Sequence, residues 1–546
     1  MNDTLISDKS EYTLILENKL SLFQDRQRTE SQDRNEKLIN NFKSLQVADL
    51  LKMSGDSHTF QWIVICVLFL CYFVPACFMN QIPFLFFVPD FQCKTADGGL
   101  FKCSENEACS NPYGYQVDPV KVSLNTEFNI YCENKYIETA SKTVYFLIPA
   151  ISSLFVSILS DYAGRIPMFY LSWILATIGS CISFFSTDFN FIMIGMILSN
   201  MGGYFFVAMI IVYANEVIGS DLRSKSVGFL FSGYGFFGIV FVTFNIWITN
   251  YKQIFFIEMI AAFVFGFGYL LLCESPFFIF KQMKLKRLLK NLSYITSWNY
   301  RDQPKTKEKK IKNIEIEIFS NIIDNEEIKQ SKSIKIKKTK ERNSNKKSNG
   351  MFAGFDTESL KTLLLFIIFM ISIYMTYGLS LIIPAELGID NIYLNGILMT
   401  ASEMIAYTVT SLRAHQIKRR SLNIYITIIT ICISAILLMI KIIDQRKNPY
   451  YKVTESFFGV FLKFINAINF SLATTYGCEL FETKIRGLGV GVGIFVGRLV
   501  LSASSYLDVY SNYLDVHPMV FCGVLAIISL PSVILLPETL NKKMHN

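Results

Sequence analysis

The chain alternates between long apolar runs and shorter polar segments. Twelve runs reach the roughly 20 residues that a bilayer-crossing helix needs: 60–88, 141–160, 167–186, 191–213, 227–248, 253–273, 360–384, 393–412, 422–443, 457–476, 487–507 and 517–536. In hydrocarbon a helix satisfies its own backbone groups, so each run is expected to be α-helical. A soluble core hides a few such segments, not twelve. The expected fold class is therefore an all-α membrane protein with twelve transmembrane helices. Residues 1–59 are polar and lack the apolar stretch and small-residue cleavage site of a signal peptide, so the first span is expected to be an uncleaved anchor.

Composition agrees: 51% of residues are hydrophobic and only 18% charged, below the roughly 25% of ordinary soluble domains. The charge is unevenly placed. Residues 281–350 hold 20 Lys/Arg and 8 Asp/Glu, a net of +12 against +8 for the whole chain, so the remainder sums to −4. Basic loops mark the cytosolic side. That places this loop, and by even span counts both termini, in the cytosol. The expected organisation is a cytosolic segment 1–59, a six-helix bundle 60–280 with a large outer loop 89–140, a basic and partly disordered cytosolic loop 281–357, a second six-helix bundle 358–538, and a cytosolic tail 539–546. The run 332–347 reads as a solvated or lipid-facing charge run, with no nucleic-acid partner expected.

Four of the twelve cysteines, Cys93, Cys103, Cys109 and Cys132, fall in the outer loop. An oxidising exterior makes two disulfides the expectation and the plasma membrane the expected location. Four cysteines allow three connectivities, and spacing does not choose among them. No metal-ligand spacing appears, and no cofactor is expected.

An internal repeat divides the spans into halves. Glu216 and Arg223 recur as Glu479 and Arg486 at an offset of 263, Glu274 recurs as Glu538 at 264, and Arg165 is matched by Arg420 at 255. All sit at cytosolic span ends. Two pseudo-symmetric six-helix bundles are a transporter architecture, with the substrate site between them. Charges at inner span ends suit a latch that pairs in one conformation and parts in another. The plainer reading is that they only fix topology.

The same residues carry a resemblance. ILSDYAGRIP (158–167), EFNIYC (127–132), CESPFFI (273–279), residues 377–403, residues 462–493 and PETLN (537–541) resemble elements of the major facilitator superfamily, and within it the organic ion transporter family of solute carriers. The resemblance spans about 49–541, and its most specific part is 462–493. It implies the two-bundle major facilitator fold and gating roles for Asp161, Gly164, Arg165, Glu216, Arg223, Glu274, Glu479, Arg486 and Glu538. Tyr162, Ile166 and Phe277 stand where the family has basic residues.

Ionisable residues inside spans are functional candidates. Arg498 lies twelve residues beyond Arg486, about 18 Å deep, and Glu403 ten beyond Tyr393, about 15 Å deep. Lys463 and Glu258 lie about 7–10 Å from the outer edge, shallow enough to snorkel. The candidate substrate-binding set is Arg498, Glu403, Lys463, Tyr377 and Tyr407. In the resembled family a basic residue at the Arg498 position goes with anions and Asp with cations, which implies organic anions. Tyr407 stands where anion-type members often carry Lys. The plainer reading of Arg498 is an internal pair with Glu403. GYGFFG (233–238) matches a nucleotide-loop pattern but lies inside an apolar span. No catalytic constellation appears, so an enzyme is not expected. The expected function is secondary or facilitative transport of small organic ions by alternating access, anions slightly favoured, with a counter-transported ion as a candidate further partner. A sugar or polyol porter and a non-transporting sensor are the alternatives. Oligomeric state is not legible.

Overall fold

The apolar runs fold predominantly as α-helix in the computed structural model, which describes residues 47–333 and 357–539 apart from 89, 97–98, 119–120, 283, 383–390, 414–417, 444–448, 482–485 and 515. The helices are α1 (Thr59–Asn80, interrupted at Tyr72), α2 (Lys135–Ala163), α3 (Arg165–Phe185), α4 (Phe189–Val217), α5 (Ser220–Asn245) and α6 (Tyr251–Gly266, drawn on to Leu271 by a 3₁₀ turn). After the long polar segment come α7 (Thr357–Ile382), α8 (Ile392–Arg413), α9 (Arg419–Ile443), α10 (Pro449–Leu480), α11 (Arg486–Leu501) and α12 (Val520–Leu535). By length and composition, ten spans among the described residues suit a bilayer crossing. The other two helices are α12, with 16 residues, and α8, made more polar by Asn395, Thr400, Ser402 and Glu403. The run 487–507 is not one helix. It breaks after Leu501 and resumes as Ser504–Leu514, so part of the expected outer loop 508–516 is helical.

The chain divides into two compact units. The larger comprises Ile63–Asn215, Ser220–Leu272 and Lys347–Asn546. In it α5 packs along α8 and α2 along α11, which joins the two sets of six. Close approach explains the glycines there. A Cβ on Gly235 of α5 would stand 2.6 Å from the backbone nitrogen of Met404 on α8, and one on Gly497 of α11 would strike the Tyr374 ring of α7. The second set closes around Met375, Leu379, Met399, Leu437, Leu462 and Met519. Outward faces such as Ile174 and Ile178 of α3 or Ile428 and Ile436 of α9 stay apolar and exposed, as lipid contact requires.

Between α1 and α2 sits a small cap. Strands β1 (Asp90–Lys94), β2 (Leu100–Cys103) and β3 (Tyr115–Asp118) form an antiparallel sheet in the order β2-β1-β3. Of the three possible connectivities the fold selects Cys93–Cys103 and Cys109–Cys132, with Cα separations of 5.8 and 5.4 Å. The register sets the first bridge, since Cys93 faces Phe101 and Phe91 faces Cys103 on the neighbouring strand. Phe91, Cys93, Cys103 and Ala108 form the core of the cap, with Tyr115 and Tyr131 against it. Burial beside Tyr115 raises the Tyr131 phenol above its usual range.

The smaller unit comprises Met1–Trp62, Glu216–Gly219 and Cys273–Lys346. The segment read from sequence as a basic loop carries helices Pro276–Lys281, Leu285–Asn299 and Pro304–Ser333, packed with helix Val47–Ser54. Residues 334–356, which hold most of the basic run 332–347, lie outside the described residues.

Candidate functional site

Helix α8 is a polar stripe on an apolar rod. Asn395, Met399, Ser402, Glu403, Ala406 and Tyr407 recur at three- and four-residue spacing and are buried. The stripe aims Glu403 at Lys463 of α10, and the two charged groups stand 3.5 Å apart with exposures of 1% and 2%. Such a pair is stable in a dry interior only when its other valences are met. Here they are. Tyr407 Oη donates to Glu403 Oε1 at 2.9 Å. Lys463 Nζ donates to Ser380 Oγ at 3.1 Å and lies 4.1 Å from the centroid of the Tyr377 ring. Tyr377 Oη in turn donates to Tyr234 Oη of α5 at 3.0 Å. Four of the five residues expected at the substrate site, Glu403, Lys463, Tyr377 and Tyr407, are thus one cluster.

The fifth is held apart. Arg498 of α11 is 8% exposed, and its guanidinium lies 4.5 Å from the Tyr204 ring centroid on α4 and 5.9 Å from that of Tyr374 on α7. One Nη reaches the Pro149 carbonyl of α2 at 3.5 Å, and Nε is buried with no hydrogen-bond partner. Among the described residues Arg498 makes no ion pair. The plainer sequence reading, an Arg498–Glu403 pair, is not what forms, because Lys463 takes Glu403. Nor do Lys463 and Glu258 snorkel: Glu258 is 1% exposed, and both its carboxyl oxygens lack hydrogen-bond partners among the described residues.

A narrow cleft of about 20 Å³, room for little more than a water molecule, opens onto the pair. Its walls come from both sets of six: Asn80 and Phe84, Val242 of α5, Ser380 of α7, Thr400 of α8 and the Glu403–Lys463 pair itself. Toward the cap, Phe84 stacks on Tyr393 with centroids 5.6 Å apart, and Lys121 Nζ sits 4.5 Å above the Tyr393 ring. Lys121 also donates to the Asn245 carbonyl at 2.8 Å, and its partial burial lowers the ammonium's pKa below the usual lysine range.

The expected gating residues separate into those the fold places and those it leaves undescribed. Gly164 ends α2 at φ +109°, a conformation open to glycine. It sets Arg165 at the head of α3, where Arg165 bonds Asp161 at 3.3 Å and the Ser160 carbonyl at 2.8 Å. In the second set the equivalent head-of-helix residue is Arg419, not Arg420. Arg419 is buried and bonds Glu479 at 3.3 Å, while its backbone nitrogen donates to Glu538 at 2.9 Å. Thr539 donates to the other oxygen of Glu479, and Arg420 instead donates to the Ile534 carbonyl. In the smaller unit Glu274 is buried and accepts from the Ser275 nitrogen at 2.9 Å. Glu216 falls in that unit too. The side chains of Arg223 and Arg486 lie outside the described residues. Replacing Arg419 with Gln is expected to lower the thermal midpoint more than replacing Arg420, because it leaves Glu479 half-buried without its cation. Paired melts of the two purified variants check this, and equal shifts would contradict it.

A family model described as Major Facilitator Superfamily matches residues 142–505. The chain belongs to the major facilitator superfamily. As a superfamily member it is an integral multi-pass membrane protein, and the α5–α8 and α2–α11 seams are where its two bundles meet. Among curated proteins it is similar to an organic cation transporter-like protein of Drosophila melanogaster, 24% identical over 465 residues that cover 83% of this chain and 77% of that protein. It is also similar to organic cation/carnitine transporter 2 of Rattus norvegicus, 23% identical over 444 residues, covering 80% and 72%. Among solved structures, the inward-open xylose transporter XylE of E. coli superposes with a TM-score of 0.57 at 14% identity, over 89% of this chain and 97% of that one. That likeness concerns the fold.

Proposed function

We propose that this chain is a secondary or facilitative transporter of small organic ions, working by alternating access of its two bundles around the central cavity, with anions favoured. The observation that carries the proposal is the charge balance of the buried site. Glu403 is matched by Lys463, which leaves the Arg498 guanidinium as an unmatched positive charge walled by tyrosines. A carboxylate or sulfate would complete it through charge-assisted hydrogen bonds. The buried Arg165 and Arg419 and the half-buried Glu479 and Glu538, all at span ends, suit a gating role. In this reading the cap is extracellular, the basic segment and both chain ends are cytosolic, and the host membrane is the plasma membrane.

Cations are the second reading. Glu403 is ringed by Tyr407 and Tyr377, a setting that would also hold an ammonium, and the two curated relatives above are named for cations. The test is uptake of labelled organic anions, organic cations and hexoses into vesicles containing the purified protein. Saturable anion uptake is the expected result. Cation uptake alone would overturn the sign, and flat uptake of every compound would overturn transport.

A further inference from the structure

Two helices of the smaller unit each carry a basic face opposite a buried one. In Leu285–Asn299, Leu288, Leu292 and Ile295 are buried, while Lys286, Arg287 and Lys290 are exposed. At 3.6 residues per turn the two faces point about 170° apart. In Pro304–Ser333, Ile314 and Ile318 are buried, and Lys305, Lys309 and Lys312 are exposed at i, i+4 and i+7 on the opposite side. The helices pack against each other. The first contains no acidic residue, and residues 281–312 hold eleven Lys/Arg against only Asp302 and Glu308. Lys310 is used differently: its Nζ donates to the Met53 carbonyl at 3.1 Å and lies 4.6 Å from the Tyr300 centroid.

This unit also contains the ends of two membrane helices. Asn299 Nδ2 donates to the Ser54 and Gly55 carbonyls at 3.0 and 2.6 Å, and Asn299 Oδ1 accepts from the Phe60 nitrogen at 2.7 Å, at the start of α1. The Gly219 nitrogen, just past α4, donates to the Asp56 carbonyl at 3.0 Å. Lys286 is thirteen residues from Asn299 on one helix, so the basic face lies within about 20 Å of the point where the chain enters the bilayer.

We propose that these two basic faces form a docking surface for anionic phospholipid headgroups of the inner leaflet. The proposal rests on the topology proposed above, which puts this unit in the cytosol. Six exposed basic residues on these two helix faces are attracted to a negative surface, and the inner leaflet is one. Tethering at α1 removes much of the entropy cost of bringing the two together. Each charge is worth about fivefold in affinity near an anionic leaflet.

The test titrates the full-length protein in detergent micelles with short-chain phosphatidylserine, short-chain phosphatidylcholine, inositol hexakisphosphate or a short RNA, reading the thermal midpoint. Phosphatidylserine is expected to raise the midpoint and phosphatidylcholine to leave it in place. The triple variant K286Q/R287Q/K290Q is expected to need about a hundredfold more phosphatidylserine, with K305Q/K309Q/K312Q behaving alike. Both variants should keep the lipid-free midpoint, since the six side chains are exposed. An unchanged response in both variants, or an equal response to phosphatidylcholine, overturns the surface. An equal or stronger response to the inositol phosphate or to RNA overturns lipid as its occupant. Collapse of both variants without lipid shows the charges to be structural and also overturns it. No substrate is needed, so failure here leaves the transport reading intact, and flat uptake would leave this result standing.

Discussion

Lys463→Met is expected to lower thermal stability sharply, by about 3–5 kcal/mol, the usual cost of removing one partner of a buried ion pair. Lys463 and Glu403 are both almost wholly buried, at 3.5 Å, so removing one leaves the other's charge poorly compensated. Methionine fills the lysine's stem and leaves Glu403 with only the Tyr407 hydroxyl. Adding Glu403→Gln to the same chain is expected to restore most of the midpoint, since no uncompensated charge then remains. Uptake should stay at least tenfold down in the double variant, because the cavity wall has lost both its charges. Thermal melts of the single and double variants in one detergent read the coupling directly. A double variant no more stable than Lys463→Met would show that the pair is not the energetic unit described.

That pair was half legible in the sequence. Glu403 and Lys463 each stand out as an ionisable residue in an apolar run, but which charge meets which depends on depth. The run that contains Lys463 becomes apolar near residue 457, and counting from there places the lysine near the surface. The helix begins earlier, at Pro449, within a polar stretch. Lys463 is therefore fourteen residues from the helix start, about 21 Å, level with a residue deep in α8. Hydropathy marks where lipid contact begins, not where the helix begins. Glu258 shows a different limit. Its burial follows from the face it occupies, which an almost uniformly apolar helix does not reveal.

The inner arginines fail for a rotational reason. Arg419 and Arg420 are adjacent, so sequence offers two candidates for one latch. One residue is a 100° turn of the helix, enough to carry Arg419 onto Glu479 and Arg420 to the Ile534 carbonyl. The repeat offset of 255 chose the wrong neighbour; the structural match at the helix head gives 254, from Arg165 to Arg419. By contrast the twelve spans, the division into halves and the cysteine-bearing cap were legible, because each rests on composition over many residues. The break between Leu501 and Ser504 was not, since small residues there read equally well as continuous helix.

Arg498 should behave oppositely to Lys463. Its removal leaves no carboxylate stranded, since its contacts are the Tyr204 and Tyr374 rings and the Pro149 carbonyl. Arg498→Met is therefore expected to shift the thermal midpoint far less than Lys463→Met, while cutting organic-anion uptake about a hundredfold, within the range for truncating one partner of a buried charge pair. Arg498→Lys keeps the charge but loses the planar fork that matches a carboxylate, so partial uptake with a raised KM is expected. Arg498→Asp reverses the charge held between Tyr204 and Tyr374 and should abolish anion uptake and favour cations. Uptake by the three variants, normalised to folded protein at the membrane, gives the ordering wild type, Lys, Met, Asp for anions. Unchanged anion uptake in Arg498→Asp would remove Arg498 from charge selection and leave Glu403 with its tyrosines as the recognition element, which is the cation reading. A stability loss in Arg498→Met as large as that in Lys463→Met would instead make the guanidinium a packing group between the bundles. On the proposed reading the two basic residues divide the work: Lys463 holds the buried pair together, and Arg498, without an ion-pair partner among the described residues, selects the sign of the substrate.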